Sequence, residues 1–147
     1  MLPISDVVND RASEMSKDSP RPLVLVVEDH ADTREMLRLV VESLGYCAME
    51  AADGEEAVRF VEGITPDLIL MDTSLPKIDG LLATERIRKL KSTSKVTIIF
   101  LSGHAEAQSR AVALAAGGDD YFVKPVNLGE LELALRKYLT IASAPAN

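Results

Sequence analysis

The stretch LVLVVEDH, residues 23–30, is an unbroken run of five apolar side chains closed by two acids and a histidine. A strand with one wet face alternates apolar and polar residues. A short run without alternation fits a strand covered on both faces, the condition of a parallel sheet with helices packed on either side. The motif recurs outward along the chain, weakly at Tyr46 to Ala51 and then at Leu68 to Met71, Val96 to Leu101 and Tyr121 to Val123. Between these runs lie amphipathic stretches. Met36, Leu37, Val40, Val41 and Leu44 share one helical face, Gly45 is placed to end that helix, and Asp32 and Glu35 are spaced as a capping-box pair at its start. Ala57, Val58 and Val61 mark a second helix, and Leu82, Ile87 and Leu90 a third. An alanine-rich fourth helix runs from about Ala105 to Ala116 and stops at Gly117 and Gly118; Leu128, Leu131, Leu135 and Leu139 stripe a fifth. The alternation predicts an α/β fold, a doubly wound sheet of five parallel strands.

The chain of 147 residues holds one domain's worth of sequence, with 16 Lys+Arg against 23 Asp+Glu and a net charge of −7. That acidity argues against direct nucleic-acid binding, which needs a basic surface. No apolar run is long enough for a membrane span, and the first residues lack the basic and apolar regions of a secretory signal. With a single cysteine, Cys47, expected as a buried strand residue, an internal disulfide is excluded and a cytoplasmic setting is expected. Residues 1–21 read as a flexible tail, with a short helix on Val8, Ala12 and Met15 too small to hold itself in place. Residues 22–140 read as the folded domain and 141–147 as a second tail. Arg86, Arg88, Lys89, Lys91 and Lys95 form a basic cluster, read as a solvated face or as a dock for an acidic partner.

Four of the five runs end in residues that can do chemistry: Glu28 and Asp29, Asp72, Ser102 and Lys124. In an open parallel sheet the carboxyl ends of the strands form one rim, where ligands bind. Three carboxylates gathered there repel one another and call for a cation. Mg²⁺ suits an all-oxygen set, retaining waters and leaving room for a phosphate oxygen, and no His/Cys cluster competes for zinc. The Ser102 hydroxyl and the Lys124 ammonium then remain to hold an anion, an arrangement that serves phosphoryl transfer. Each residue also has a structural account: Asp29 as cap of the first helix, Asp72 as opener of a turn, Ser102 as cap of the fourth helix.

The segment from Leu23 to Leu139 resembles a response-regulator receiver domain of two-component signalling, on the motifs VEDH at 27–30, MDTSLPKIDG at 71–80, LSG at 101–103 and DDYFVKP at 119–125. The likeness is to the single-domain, chemotaxis-regulator-like members. It implies a flavodoxin-like (βα)₅ sheet in the order 2-1-3-4-5 and a cis peptide between Lys124 and Pro125. It makes Asp72 the phospho-accepting nucleophile, with Glu28, Asp29 and Asp72 holding Mg²⁺ together with the backbone carbonyl of Ser74. Ser102 and Lys124 would bind the phosphoryl group, and Ser102 and Tyr121 would form the switch, the ring turning inward into space left when Ser102 moves toward the phosphate.

The same resemblance implies a phosphohistidine donor, on a sensor histidine kinase or a histidine phosphotransfer protein. It implies a catalytic role limited to the chain's own phosphorylation and dephosphorylation. Partners, either a downstream effector or a second copy of the chain, would meet the face formed by the fourth helix, fifth strand and fifth helix. At the length given, the receiver is expected to take up almost the whole chain, so that a signal would leave by a non-covalent contact or through further chain. Departures from the family pattern are Glu28 in place of a first Asp, Ser102 in place of Thr, and Val126 where Phe is frequent. His104, two residues after Ser102, stands where water would approach an acyl phosphate and reads most simply as a solvated loop residue. The alternative within the fold is a phosphorylation-independent pseudo-receiver, which has no need of all five polar residues. A flavin carrier would want a hydroxyl- and glycine-rich loop where Glu28, Asp29 and His30 stand, and an aspartyl hydrolase would want a second carboxylate and a capping insertion.

Overall fold

The computed structural model describes residues 20–143. Residues 1–19 and 144–147 lie outside the described residues, and so does the expected short helix on Val8, Ala12 and Met15. Among the described residues, five strands alternate with five helices: β1 (Leu23–Val27), α1 (Ala31–Ser43), β2 (Cys47–Ala51), α2 (Gly54–Gly63), β3 (Leu68–Asp72), α3 (Gly80–Lys89), β4 (Thr97–Ser102), α4 (Ala107–Ala115), β5 (Asp120–Val123) and α5 (Leu128–Ser143). The strands pair in parallel in the order β2-β1-β3-β4-β5. No helix among them is long and apolar enough to cross a membrane.

The continuous apolar runs are explained by two cores, one on each face of the sheet. Val24, Val26, Leu68, Leu70, Ile99 and Leu101 meet Leu37 and Val41 of α1 and Leu131, Leu135 and Leu139 of α5. The alternate residues, Leu25, Val27, Ile69, Met71, Ile98 and Phe100, meet Ala57 and Val61 of α2, Ala83 and Ile87 of α3 and Ala113 of α4. Register then positions the rim. Val27 lies beside Met71, Asp72 beside Leu101 and Ser102 beside Val123, so Glu28 and Asp72 emerge side by side from the two central strands.

The structure corrects several local expectations. The cap of α1 is His30, whose Nδ1 accepts from the Thr33 amide at 3.4 Å, so Asp32 sits within the first turn, where its charge suits the helix dipole. Met36 and Leu128 are 42% and 46% exposed, off the buried faces of α1 and α5. With Val126 they line a groove of about 510 Å³ beside Lys124. Leu82 is likewise exposed, because Ala83, Thr84 and Ile87 carry the buried face of α3. Cys47 is half-buried at the edge strand. The helix α5 continues to Ser143.

Arg88 is not part of an open basic face. Its guanidinium donates to the carbonyls of Gly117 at 2.7 Å and Thr93 at 3.2 Å and pairs with Asp119 at 3.0 Å. Asp119 in turn accepts from the Ile98 amide at 2.8 Å, so one side chain ties together the loops that precede β4 and β5.

Candidate functional site

Glu28, Asp29 and Asp72 each offer a carboxylate oxygen within 4.8 Å of the others. Glu28 and Asp72 are buried and Asp29 is exposed, so the cluster opens to solvent on one side. From β5 the Lys124 ammonium reaches in, 2.8 Å from Glu28 Oε1 and 3.3 Å from Asp72 Oδ1. Ser102, at the end of β4, is 1% exposed; its backbone carbonyl accepts from the Lys124 amide at 2.7 Å, which locks the two strand ends together. The peptide from Lys124 to Pro125 is cis.

Local structure aims these groups. The Ser74 amide donates to Asp72 Oδ1 at 3.2 Å, and the His30 amide donates to Glu28 Oε2 at 3.1 Å. Arg34 of α1 donates to the Glu28 carbonyl at 2.9 Å and pairs with Glu50, anchoring the first strand's end from outside the site. The loop after Asp72 folds back so tightly that a Cβ on Gly80 would sit 2.1 Å from the Asp72 carbonyl oxygen. Only a glycine fits that approach. Asp79 caps α3 from the same loop, accepting from the Leu82 amide at 2.8 Å.

Electrostatics separate the carboxyl groups. Burial raises the proton affinity of Glu28, but the Lys124 ammonium and the His30 amide more than reverse it, and the group lies below the ordinary carboxylate range. Asp72 lies above it: burial raises it, the Ser74 amide lowers it in part, and the charge of Glu28 raises it again. Burial lowers Lys124, but Glu28 and Asp72 raise it further, so it stays charged. One ammonium among three carboxylates leaves the site short of positive charge. The donors are all oxygen, with no sulfur or imidazole in the cluster, and such a set fits a hard divalent ion such as Mg²⁺.

The structural accounts of single residues fare unevenly. Asp29 does not cap α1, since His30 does, and Ser102 does not cap α4, whose cap position is Glu106 with no side-chain bond to a helix amide. Asp72 does open a turn, through Ser74, while also facing the site. Tyr121 lies at the end of the same loop system. Its ring lies buried, 3% exposed, and its hydroxyl donates to the His104 carbonyl at 2.6 Å. His104 itself has an exposed side chain, while its amide donates to Ser102 Oγ at 3.1 Å.

The model of the response regulator receiver domain family matches residues 24–136. The chain belongs to the response regulator receiver family. It is 38% identical over 116 residues to a probable transcriptional regulator of Guillardia theta, covering 79% of this chain and 44% of that protein. It is 35% identical over 119 residues to the aerobic respiration control protein ArcA of Escherichia coli, covering 81% of this chain and 49% of ArcA. The receiver thus spans about half the length of these curated relatives. Among solved structures, the receiver domain of the Pseudomonas aeruginosa sensor histidine kinase PA1611, described with a magnesium ion in its active-site cleft, superposes with a TM-score of 0.76 at 37% identity, covering 82% of this chain and 98% of that one. These neighbours share the flavodoxin-like architecture read from the sequence.

Arg34 and Gly80 were not among the expected site residues. Gly80 stood in the receiver motif, and its spacing from Asp72 was the available signal; Arg34 supports the Glu28 backbone from outside the site by a long side chain that leaves no trace in periodicity.

Proposed function

We propose that this receiver takes a phosphoryl group onto Asp72 from a phosphohistidine on a sensor histidine kinase or histidine phosphotransfer protein, and that the acyl phosphate alters partner binding at the face built by α4, β5 and α5. The observation that carries this is the convergence of three carboxylates within 4.8 Å with the Lys124 ammonium and the buried Ser102. An Asp72 oxygen attacks phosphorus in line, the phosphorus–nitrogen bond to the donor breaks, and the imidazole leaves with a proton. Lys124 would follow the charge onto the phosphoryl oxygens, and Ser102 would donate a hydrogen bond to one of them. Mg²⁺ bound by Glu28, Asp29, Asp72 and the Ser74 carbonyl would supply the positive charge that the three carboxylates lack and draw electrons from the phosphoryl group. The chain acts on no other substrate, works in the cytoplasm, and passes its signal to a protein effector or to a second copy of itself, not directly to nucleic acid.

The test is incubation with acetyl phosphate and Mg²⁺ followed by intact mass measurement. The account predicts one added phosphoryl group, dependent on the metal and absent in Asp72→Asn. An unmodified mass at saturating donor and metal would leave the pseudo-receiver reading in its place.

A further inference from the structure

The helix α4 is held by little buried surface. Ala113 is its one buried side chain; Val112 and Leu114 are 47% and 38% exposed, and the Glu106 side chain at the cap position bonds the Ser109 hydroxyl and no backbone amide of the helix. Beside it, a cavity of about 340 Å³ is lined by Thr73, Ser102, His104 and Tyr121 among others, so packing alone does not fix the loop from Ser102 into α4. The fastening is polar and centres on Arg110. Its guanidinium donates to the Tyr121 carbonyl at 3.0 Å, lies 5.9 Å from the centre of the Tyr121 ring, and approaches Asp120 at 3.9 Å. The far end of that ring is tied to the His104 carbonyl, and the His104 amide is tied to Ser102 Oγ.

We propose that Arg110 is a positioning residue for Ser102, acting through Tyr121 and His104. Arg110 holds the Tyr121 backbone and ring face, the tyrosine hydroxyl holds the loop at His104, and the loop amide holds the hydroxyl that is to meet the phosphoryl group. A cation at this ring face favours the buried ring by an attraction of modest size, and the backbone hydrogen bond fixes where on β5 the helix sits. The position of α4 and the aim of Ser102 thereby become one variable. The inference rests on the phosphoacceptor reading for its consequence, but its geometry is testable without phosphate.

The chain has three tyrosines, so protein labelled with 3-fluorotyrosine gives a fluorine spectrum simple enough to assign, with the Tyr121 signal identified by its loss in Tyr121→Phe. Arg110→Ala should move the Tyr121 signal and open it to a soluble paramagnetic quencher while Tyr46 stays unchanged; Arg110→Lys should restore much of the buried signal. As a control, Arg136→Ala removes an exposed pair with Glu132 and a charge near Tyr46, and should leave Tyr121 untouched. In the same variants the initial rate of labelling by acetyl phosphate should fall about threefold or more for Ala and recover in part for Lys. A Tyr121 signal unmoved in Arg110→Ala overturns the proposal, and so does a signal that moves with no change in labelling. A wild-type chain that takes no phosphoryl group overturns the site reading instead, and the fluorine spectrum still decides the fastening.

Discussion

Replacing Asp72 with asparagine should stabilise the metal-free protein. Asn keeps the shape and the oxygen that accepts from the Ser74 amide, and it removes one negative charge from a cluster in which the carboxylates lie within 4.8 Å of one another. At an effective dielectric of about 20, the repulsion from buried Glu28 that is relieved is worth about 3.5 kcal/mol and the lost attraction to Lys124 about 5 kcal/mol, while the exposed Asp29 adds only about 1 kcal/mol of screened repulsion, so the charge pairs come close to cancelling. The cost of burying the ionised carboxylate then decides the balance in favour of Asn, in keeping with the upward shift of Asp72, of which burial is the largest cause. Thermal unfolding in a chelator should therefore show the variant melting about 3–8 °C above the wild type. Saturating Mg²⁺ should reverse the advantage, because a ligand at about 100 times its dissociation constant adds about 2.7 kcal/mol to the form that binds it, and the variant has lost one of the three carboxylates. An Asn variant that melts below wild type in chelator, with wild type unmoved by Mg²⁺, would refute the charge reasoning.

Gly80→Ala should cost about 2–3 kcal/mol in urea unfolding and weaken Mg²⁺-dependent stabilisation, since the added carbon meets the Asp72 backbone and not a side chain that can yield. Arg88→Met should cost about 2 kcal/mol, from carbonyls and an Asp119 carboxylate left without their partner, yet leave the Mg²⁺ response intact, because its ties lie before β4 and β5, away from the rim. For pH, Lys124 is raised in the folded state, so its contribution is present below its unfolded value of about 10.4 and is lost as pH rises through the higher folded value. Glu28 is depressed, so its contribution is present above about 4.3 and is lost as pH falls through the lower folded value. Unfolding midpoints across pH should show the alkaline loss in wild type and its absence in Lys124→Met, and an identical alkaline slope in the two would contradict the pairing.

Much of this was legible before any coordinates. Runs such as Leu23 to Val27 lack alternation because both of their faces are covered, and a pattern that simple survives in sequence. The rim followed from the same fact, since the first polar residue after each run falls at a strand's carboxyl end. What stayed hidden depends on reach and on exact backbone placement. Periodicity cannot say that Arg88 spans 29 residues to Gly117, that His30 outcompetes Asp32 as the cap, or that the Tyr121 ring already lies inside with its hydroxyl on His104. Met36 and Leu128 fit a helical stripe by spacing, yet they line a groove, because spacing specifies a face without saying where the neighbouring element ends.

The central claim is that Asp72, among three adjacent carboxylates, is the one that carries phosphate. Borohydride reduction of the acetyl phosphate-treated chain converts an aspartyl phosphate to homoserine, which peptide mass spectrometry locates by residue. The account predicts homoserine at position 72 alone, formed only when Mg²⁺ is present during labelling. Reduction at Asp29 or Glu28, or an unreduced Asp72 in protein that carries the phosphoryl group, would contradict it.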